Sequence, residues 1–263
     1  MGFSANYHTH TYRCGHATGD APEYARIAAA GGCRILGFSD HTPLPDGRWP
    51  DWRMRLGQLD EYEAAVARAR AEQPDLTVLL GMECEYAPEF RAFYEDELFG
   101  RRGYDYLIGA CHLTELDGAW IGSFDRTCTP QALAAYAATC TKTMEAGLFS
   151  FIAHPDLFGC CNPVWTADTA ACARDICAAS VSTGVPLEIN GLGFRKTWLD
   201  TPEGLRPPYP WTPFWQVAAE HGVRVVLNSD AHHPQDVLAS YDDVAAMRDR
   251  FALVEADLSV LTR

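Results

Sequence analysis

The 263-residue sequence lacks any apolar run near the roughly 18 residues needed to cross a bilayer. Its first residues, Met1 to His8, have neither the basic start nor the apolar core of a secretory signal. These absences lead us to expect a cytoplasmic protein with no membrane partner. Positive charge is also scarce: 21 Lys and Arg stand against 35 Asp and Glu, for a formal net charge of −14. Nucleic acids and anionic membranes reward clusters of Lys and Arg, so both are disfavoured and a small-molecule partner is expected. No Cys-x-x-Cys pair occurs among the ten cysteines, and adjacent Cys160 and Cys161 are poorly spaced for a structural zinc site. Without a secretory signal, a disulfide framework is not expected, and the cysteines read as mostly free thiols. Low-complexity segments and linkers are missing too, which favours a single domain over residues 1–263.

What is present is ample core material, 48% hydrophobic, arranged as apolar runs alternating with amphipathic stretches. That alternation is the pattern of strand–helix units around a parallel sheet. Seven strands are expected, at 3–9, 34–39, 76–84, 104–111, 149–153, 185–190 and 223–228. Helices are expected at 22–30, capped by Asp20, and at 55–72, 90–98, 130–146, 166–183 and 213–221. The stretch 191–210, rich in Gly and Pro, reads as a long functional loop, with Trp198, Tyr209, Trp211 and Trp215 in or beside it as pocket walls or packing residues.

The residues at the strand ends carry the chemistry. His8 and His10 follow the first strand, Asp40 and His41 the second, and Glu83 the third. His112 closes the fourth, His154 the fifth, Asn190 the sixth, and Asp230 with His232 the seventh; His16 can join from the first loop. In a parallel barrel the carboxyl ends converge on one face, so these residues would meet in one mouth. Imidazoles and carboxylates together suit zinc, iron or manganese, and this many ligands exceed what one ion can use. His221 and His233 keep ordinary surface or helix-end readings.

The segments Tyr7-His8-Thr9-His10, Cys14-Gly15-His16, Phe38-Ser39-Asp40-His41, Gly81-Met82-Glu83, Cys111-His112, Ala153-His154-Pro155-Asp156 and Asn228-Ser229-Asp230-Ala231-His232 resemble, in order, the motifs of the polymerase and histidinol phosphatase (PHP) family. Arg53-Met54-Arg55-Leu56 and the run from Glu188 to Arg195 look like its stand-alone L-histidinol-phosphate phosphatase branch. The resemblance implies a distorted (β/α)7 barrel, TIM-like, with three divalent metal ions at the carboxyl ends of the strands. It implies a first ion on His8, His10, Glu83 and Asp230, a second on Glu83, His112 and His154, and a third on His16, His41 and His232. Glu83, Asp230 and His232 would then serve catalysis, and Asp40 would orient a ligand imidazole.

Clustered divalent ions lower the pKa of a shared water and neutralise phosphoryl oxygens, so the expected reaction is attack of a metal-held hydroxide on a phosphomonoester. Arg195, matching a phosphate-binding position of the family, is the first candidate for the phosphoryl group, with Arg53 and Arg55 beside it. L-Histidinol phosphate is the expected substrate. The branch often carries a basic residue soon after the His154 motif, and the run Leu157 to Cys161 has none; other sugar, polyol or nucleotide phosphates are therefore the alternative. Nuclease action, metal-dependent amide or ester hydrolysis, and a metal-binding module without catalysis are weaker readings. The acidic charge argues against the first, the arginines against the second, and the complete ligand set against the third.

Overall fold

The computed structural model describes residues 2–262. The described residues form two compact units, one of residues 2–108 with 228–242 and 257–262, the other of residues 109–227 with 243–256.

In the first unit, β1 (Ala5–Asn6), β2 (Ile35–His41), β3 (Thr77–Glu85) and β4 (Tyr106–Ala110) stand in that order in one sheet, and β1–β2 and β2–β3 pair in parallel. Two helices make the crossovers: α1 (Ala21–Ala30), whose Asp20 carboxylate accepts from the Ala21 N–H as the cap, and α2 (Leu59–Glu72). The second strand runs as far as His41 and the third as far as Glu85, so the expected ligands lie inside the strands' last residues. The sheet admits one large ring because two of its residues have no side chain. Tyr106 packs against Gly37 of β2 and Gly81 of β3, and its hydroxyl donates to Tyr7 O at 2.6 Å.

The first strand is shorter than the expected 3–9. After Asn6 the backbone leaves the ladder: the Tyr7 N–H donates to the side chain of Asn228 at 2.7 Å, and the Asn6 amide donates to Ser229 Oγ at 2.7 Å. Two asparagines thus replace ladder bonds and couple His8 and His10 to the segment holding Asp230. The segment is seated further by the His10 N–H on Ala231 O at 2.9 Å. The helix expected at 90–98 is instead a short 3-10 turn, Pro88–Phe90, and a π-helix, Phe93–Arg101.

The second unit begins with the hairpin of β5 (Leu113–Leu116) and β6 (Ala119–Gly122), followed by α3 (Pro130–Glu145) and α4 (Ala167–Thr183). Where a fifth strand was expected at 149–153, Ile152 alone bridges Gly109 and Leu187 in parallel. Then come β7 (Leu187–Asn190), α5 (Leu192–Arg195), β8 (Leu199–Thr201), β9 (Gly204–Arg206), α6 (Thr212–His221), β10 (Arg224–Asn228), α7 (Tyr241–Arg250) and β11 (Val254–Glu255). The order β11–β10–β7 forms a three-stranded sheet. The expected long loop 191–210 is therefore a helical turn and an antiparallel hairpin. Arg206 at its end donates to Gly159 O at 2.8 Å and Asn162 O at 2.7 Å and lies over the Trp211 ring. Gly193 stands against Tyr209 O with no space for a Cβ.

All ten cysteines are free thiols, as expected. Among the described residues no helix is long and apolar enough to cross a membrane.

Candidate metal centre

The first unit brings seven of the expected ligands together. The Nε2 atoms of His8 and His10 lie 3.1 Å apart. Asp230 Oδ1 is 3.6 Å from His8 Nε2 and 3.2 Å from His10 Nε2, while Glu83 reaches both imidazoles at 3.5 and 3.6 Å and His41 Nδ1 at 2.9 Å. The His232 ring stacks on His10 with centroids 4.2 Å apart, and His16 lies 5.2 Å from His41 and 4.9 Å from His232. His8, His10, His41, Glu83 and Asp230 are buried.

These separations fit a cation. Ligand atoms about 2.0–2.2 Å from an ion stand roughly 3.0–3.5 Å from one another, close to the 2.9–3.6 Å between the facing nitrogens and oxygens. Three groups within the unit have all their ligand atoms within 4.8 Å of one another: His8, His10 and Asp230; His10, His41 and His232; and His10, Cys14 and Asp40. Imidazole lone pairs and carboxylate oxygens turned toward a common point are the donor chemistry of zinc, manganese or iron.

Hydrogen bonds set the ring orientations. Asp40 accepts from the Thr11 N–H at 3.2 Å and the Thr11 hydroxyl at 2.5 Å, and its other oxygen faces His10 Nδ1 at 3.5 Å. On the far side of the ring, His10 Nε2 is turned to Glu83 and Asp230. His16 Nδ1 lies 3.1 Å from Cys14 O and His232 Nδ1 3.3 Å from Asp230 O. Asp230 has a left-handed φ of 50°, a conformation costly for a non-glycine residue and concentrated at functional sites.

The electrostatics are those of tightly packed opposite charges. Burial lowers the pKa of His10, but Asp230, Asp40 and Glu83 outweigh it and push the value up to about 9. Burial works against the Asp230 carboxylate, yet the neighbouring histidines hold it well below the usual range. His232 goes the other way: burial and the charge of His10 drive it well below the normal imidazole value.

The second unit has its own pair. The His112 and His154 rings are 4.7 Å apart, Phe124 stacks on His112, and Tyr209 stands edge-on to His154. His154 has a left-handed φ of 31°, and its N–H donates to the Glu188 carboxylate at 3.0 Å. Asn190 donates to the same carboxylate at 2.7 Å and accepts from the Leu192 N–H at 2.8 Å, so one chain of bonds links the end of β7 to the backbone of His154. Asp156 is wholly buried and accepts from the Trp211 N–H at 2.6 Å and Trp215 Nε1 at 3.1 Å.

The expected arginines divide. Arg53 is buried and committed: it donates to Glu85 at 2.6 Å, Thr42 O at 2.6 Å and Trp49 O at 3.1 Å. Arg55 is exposed, and Arg195 is half-buried at the end of α5. Trp211, Trp215 and Tyr209 are core packing residues, while Trp198 is 44% exposed. His221 caps its helix end through Val217 O, and exposed His233 meets the Thr18 hydroxyl at 2.8 Å. Asn6, Asn228 and Glu188 are the positioning residues to which sequence reasoning assigned no role. Glu188 and Asn190 share a strand face at period-two spacing, a signal that was there to be used.

A set of five imidazoles and two carboxylates, with His8, His10, His41, Glu83 and Asp230 buried, is the donor set of a metal-binding α/β protein. The chain belongs to the PHP domain family, which it matches over residues 6–191. It is 35% identical over 256 residues to a protein of Deinococcus radiodurans described as a probable histidinol-phosphatase, with 92% of each chain covered. Two solved structures share the fold. One is a candidate histidinol phosphatase, hisK, of Listeria monocytogenes (TM-score 0.73, 20% identity, 91% of this chain and 99% of that one). The other is the histidinol phosphate phosphatase of Lactococcus lactis, complexed with zinc, L-histidinol and phosphate (TM-score 0.69, 17% identity, 95% and 94%).

Proposed function

We propose that this chain is a metal-dependent phosphatase that hydrolyses a small phosphomonoester, L-histidinol phosphate first among them. The observation that carries the reading is the donor set of buried His8, His10, His41, Glu83 and Asp230 with half-buried His232, grouped closely enough to hold cations, and exposed His16 beside His41 and His232. Family membership and the 35% identical relative support the reaction class. The closed seven-stranded barrel, the single domain over 1–263, the count of three ions and the assignment of His112 and His154 with Glu83 to one of them are the finer parts of the proposal; they rest on the order of the family's motifs.

Divalent ions, when bound, supply a water of lowered pKa and neutralise phosphoryl oxygens. The chain's own residues do the rest. Glu83 and Asp230 offer oxygens to more than one imidazole group and so hold the donor atoms in register. Asp40 fixes the His10 ring through Nδ1 and keeps Nε2 for ligation. His232, held neutral, serves as a ligand and not as the acid for the leaving group. Arg195 is assigned the cationic fork for the phosphoryl oxygens on its match to the family's phosphate-binding position alone. Arg53, spent on Glu85, is withdrawn from that task and supports the loop instead.

Phosphate release from a panel of L-histidinol phosphate, sugar phosphates and nucleotides tests the reading. The expected result is fastest turnover of L-histidinol phosphate by metal-loaded protein; no release from any phosphoester by protein with metals bound would overturn it.

A further inference from the structure

The ten thiols differ in how far solvent reaches them. Seven are buried, Cys160 and Cys161 are half-buried, and Cys128 alone among the described residues is exposed. A thiol that an oxidant can reach, with a second thiol beside it, is an arrangement that closes to a disulfide with little movement of the chain. The second unit holds such a pair.

Cys128 stands just before Thr129, whose hydroxyl caps α3 by accepting from the Ala132 N–H at 3.2 Å. Cys161 follows the 3-10 turn Leu157–Cys160. Side chains seat one segment on the other. Asn162 Nδ2 donates to Thr127 O at 2.9 Å and to Phe158 O at 2.7 Å, and Thr127 Oγ1 meets Cys161 Sγ at 3.5 Å. The residues beside both sulfurs are therefore fixed to each other, and the Cys128 thiol is a hydrogen-bonding neighbour of the Cys161 thiol. Burial, with Cys128 adding to it, pushes Cys161 up to about 11; burial and the nearby Asp156 carboxylate push Cys160 up to about 12. Both stay protonated at neutral pH, so oxidation starts at the exposed partner.

We propose that Cys128 and Cys161 form a dithiol modification site that takes a hydroperoxide as its oxidant and closes to a reversible disulfide. With hydrogen peroxide, the Cys128 sulfur attacks one oxygen and the O–O bond breaks. The sulfur keeps that oxygen as a sulfenic acid, and the other leaves as water. The Cys161 sulfur then attacks Cys128; the S–S bond forms as the S–O bond breaks, and a second water departs. The two sulfurs give up two electrons, which the peroxide accepts. The new bond ties the start of α3 to the segment that follows His154. The inference does not depend on the reaction proposed above, because its test reads the sulfurs and not turnover.

Zinc-loaded protein is treated in its native state with a few equivalents of hydrogen peroxide, blocked with N-ethylmaleimide, and mapped by peptide mass spectrometry. Thiols titrated after unfolding fall from ten to eight, the map shows a Cys128–Cys161 cross-link, and dithiothreitol restores all ten. Cys160→Ser forms the same cross-link, Cys128→Ser forms none at Cys161, and Cys161→Ser carries a sulfenic acid at Cys128 that dimedone traps. The map of the wild-type protein decides the matter without any variant. Retention of all ten thiols, or a cross-link from Cys128 to Cys160 in place of Cys161, overturns the inference. So does a C161S protein whose Cys128 takes no dimedone, since the exposed thiol is then not where oxidation begins.

Discussion

Arg53 and Glu85 form an ion pair with both side chains almost wholly out of solvent. Truncating one partner strands the other charge in the interior, so Arg53→Ala should cost about 3–5 kcal/mol, read from the midpoint of urea unfolding at constant slope; a loss below about 1 kcal/mol would remove the pair from the account. Asp156 gives a pH signature. Burial raises its pKa to about 7, which means the fold favours the protonated carboxyl. The stability it contributes is fully present below the ordinary carboxylate pKa and is lost as pH rises through about 7. Asp156→Asn cannot ionise, so its melting temperature should rise relative to wild type between pH 5 and pH 8; a constant difference would contradict the assignment. At this scale the candidate ligands other than His16 were legible because each histidine or acid stands where an apolar run ends. The fate of Arg53 was not, since its partner Glu85 is 32 residues away and nothing local distinguishes a paired guanidinium from a phosphate-binding one.

Among the elements, β2 and β3 were readable as buried apolar runs, and their glycines show how closely the sheet is packed. A methyl group at Gly81 would collide with the Tyr106 ring, whereas Gly57 has nothing within 4 Å of its Cβ position. Gly81→Ala should therefore destabilise by about 1–3 kcal/mol and Gly57→Ala by less than about 0.5, compared by thermal melting. Equal effects would mean that Tyr106 is not wedged between the strands. The elements that escaped sequence reading did so for local reasons. Asn6 and Asn228 substitute side-chain bonds for a ladder and shorten the first strand. In the second unit, α7 buries only Val244, Ala245 and Met247, too narrow a stripe to stand out. The β5–β6 hairpin did carry a signal, Asp117-Gly118 with left-handed φ of 52° and 78° at both positions, the turn that such a hairpin requires.

For the whole molecule, the acidic balance and the family match agree with a small-molecule enzyme. A centre with this many buried donor atoms is stable when cations satisfy them, so removing metal should lower the melting temperature as well as activity. The most direct measurement is phosphate release from L-histidinol phosphate by the purified protein before chelation, after chelation, and after return of zinc or manganese, with Glu83→Gln run alongside. The account predicts activity that disappears on stripping, returns with the cation, and does not return in E83Q, which also fails to retain metal. Activity that survives complete metal removal, or full metal content and turnover in E83Q, would contradict it.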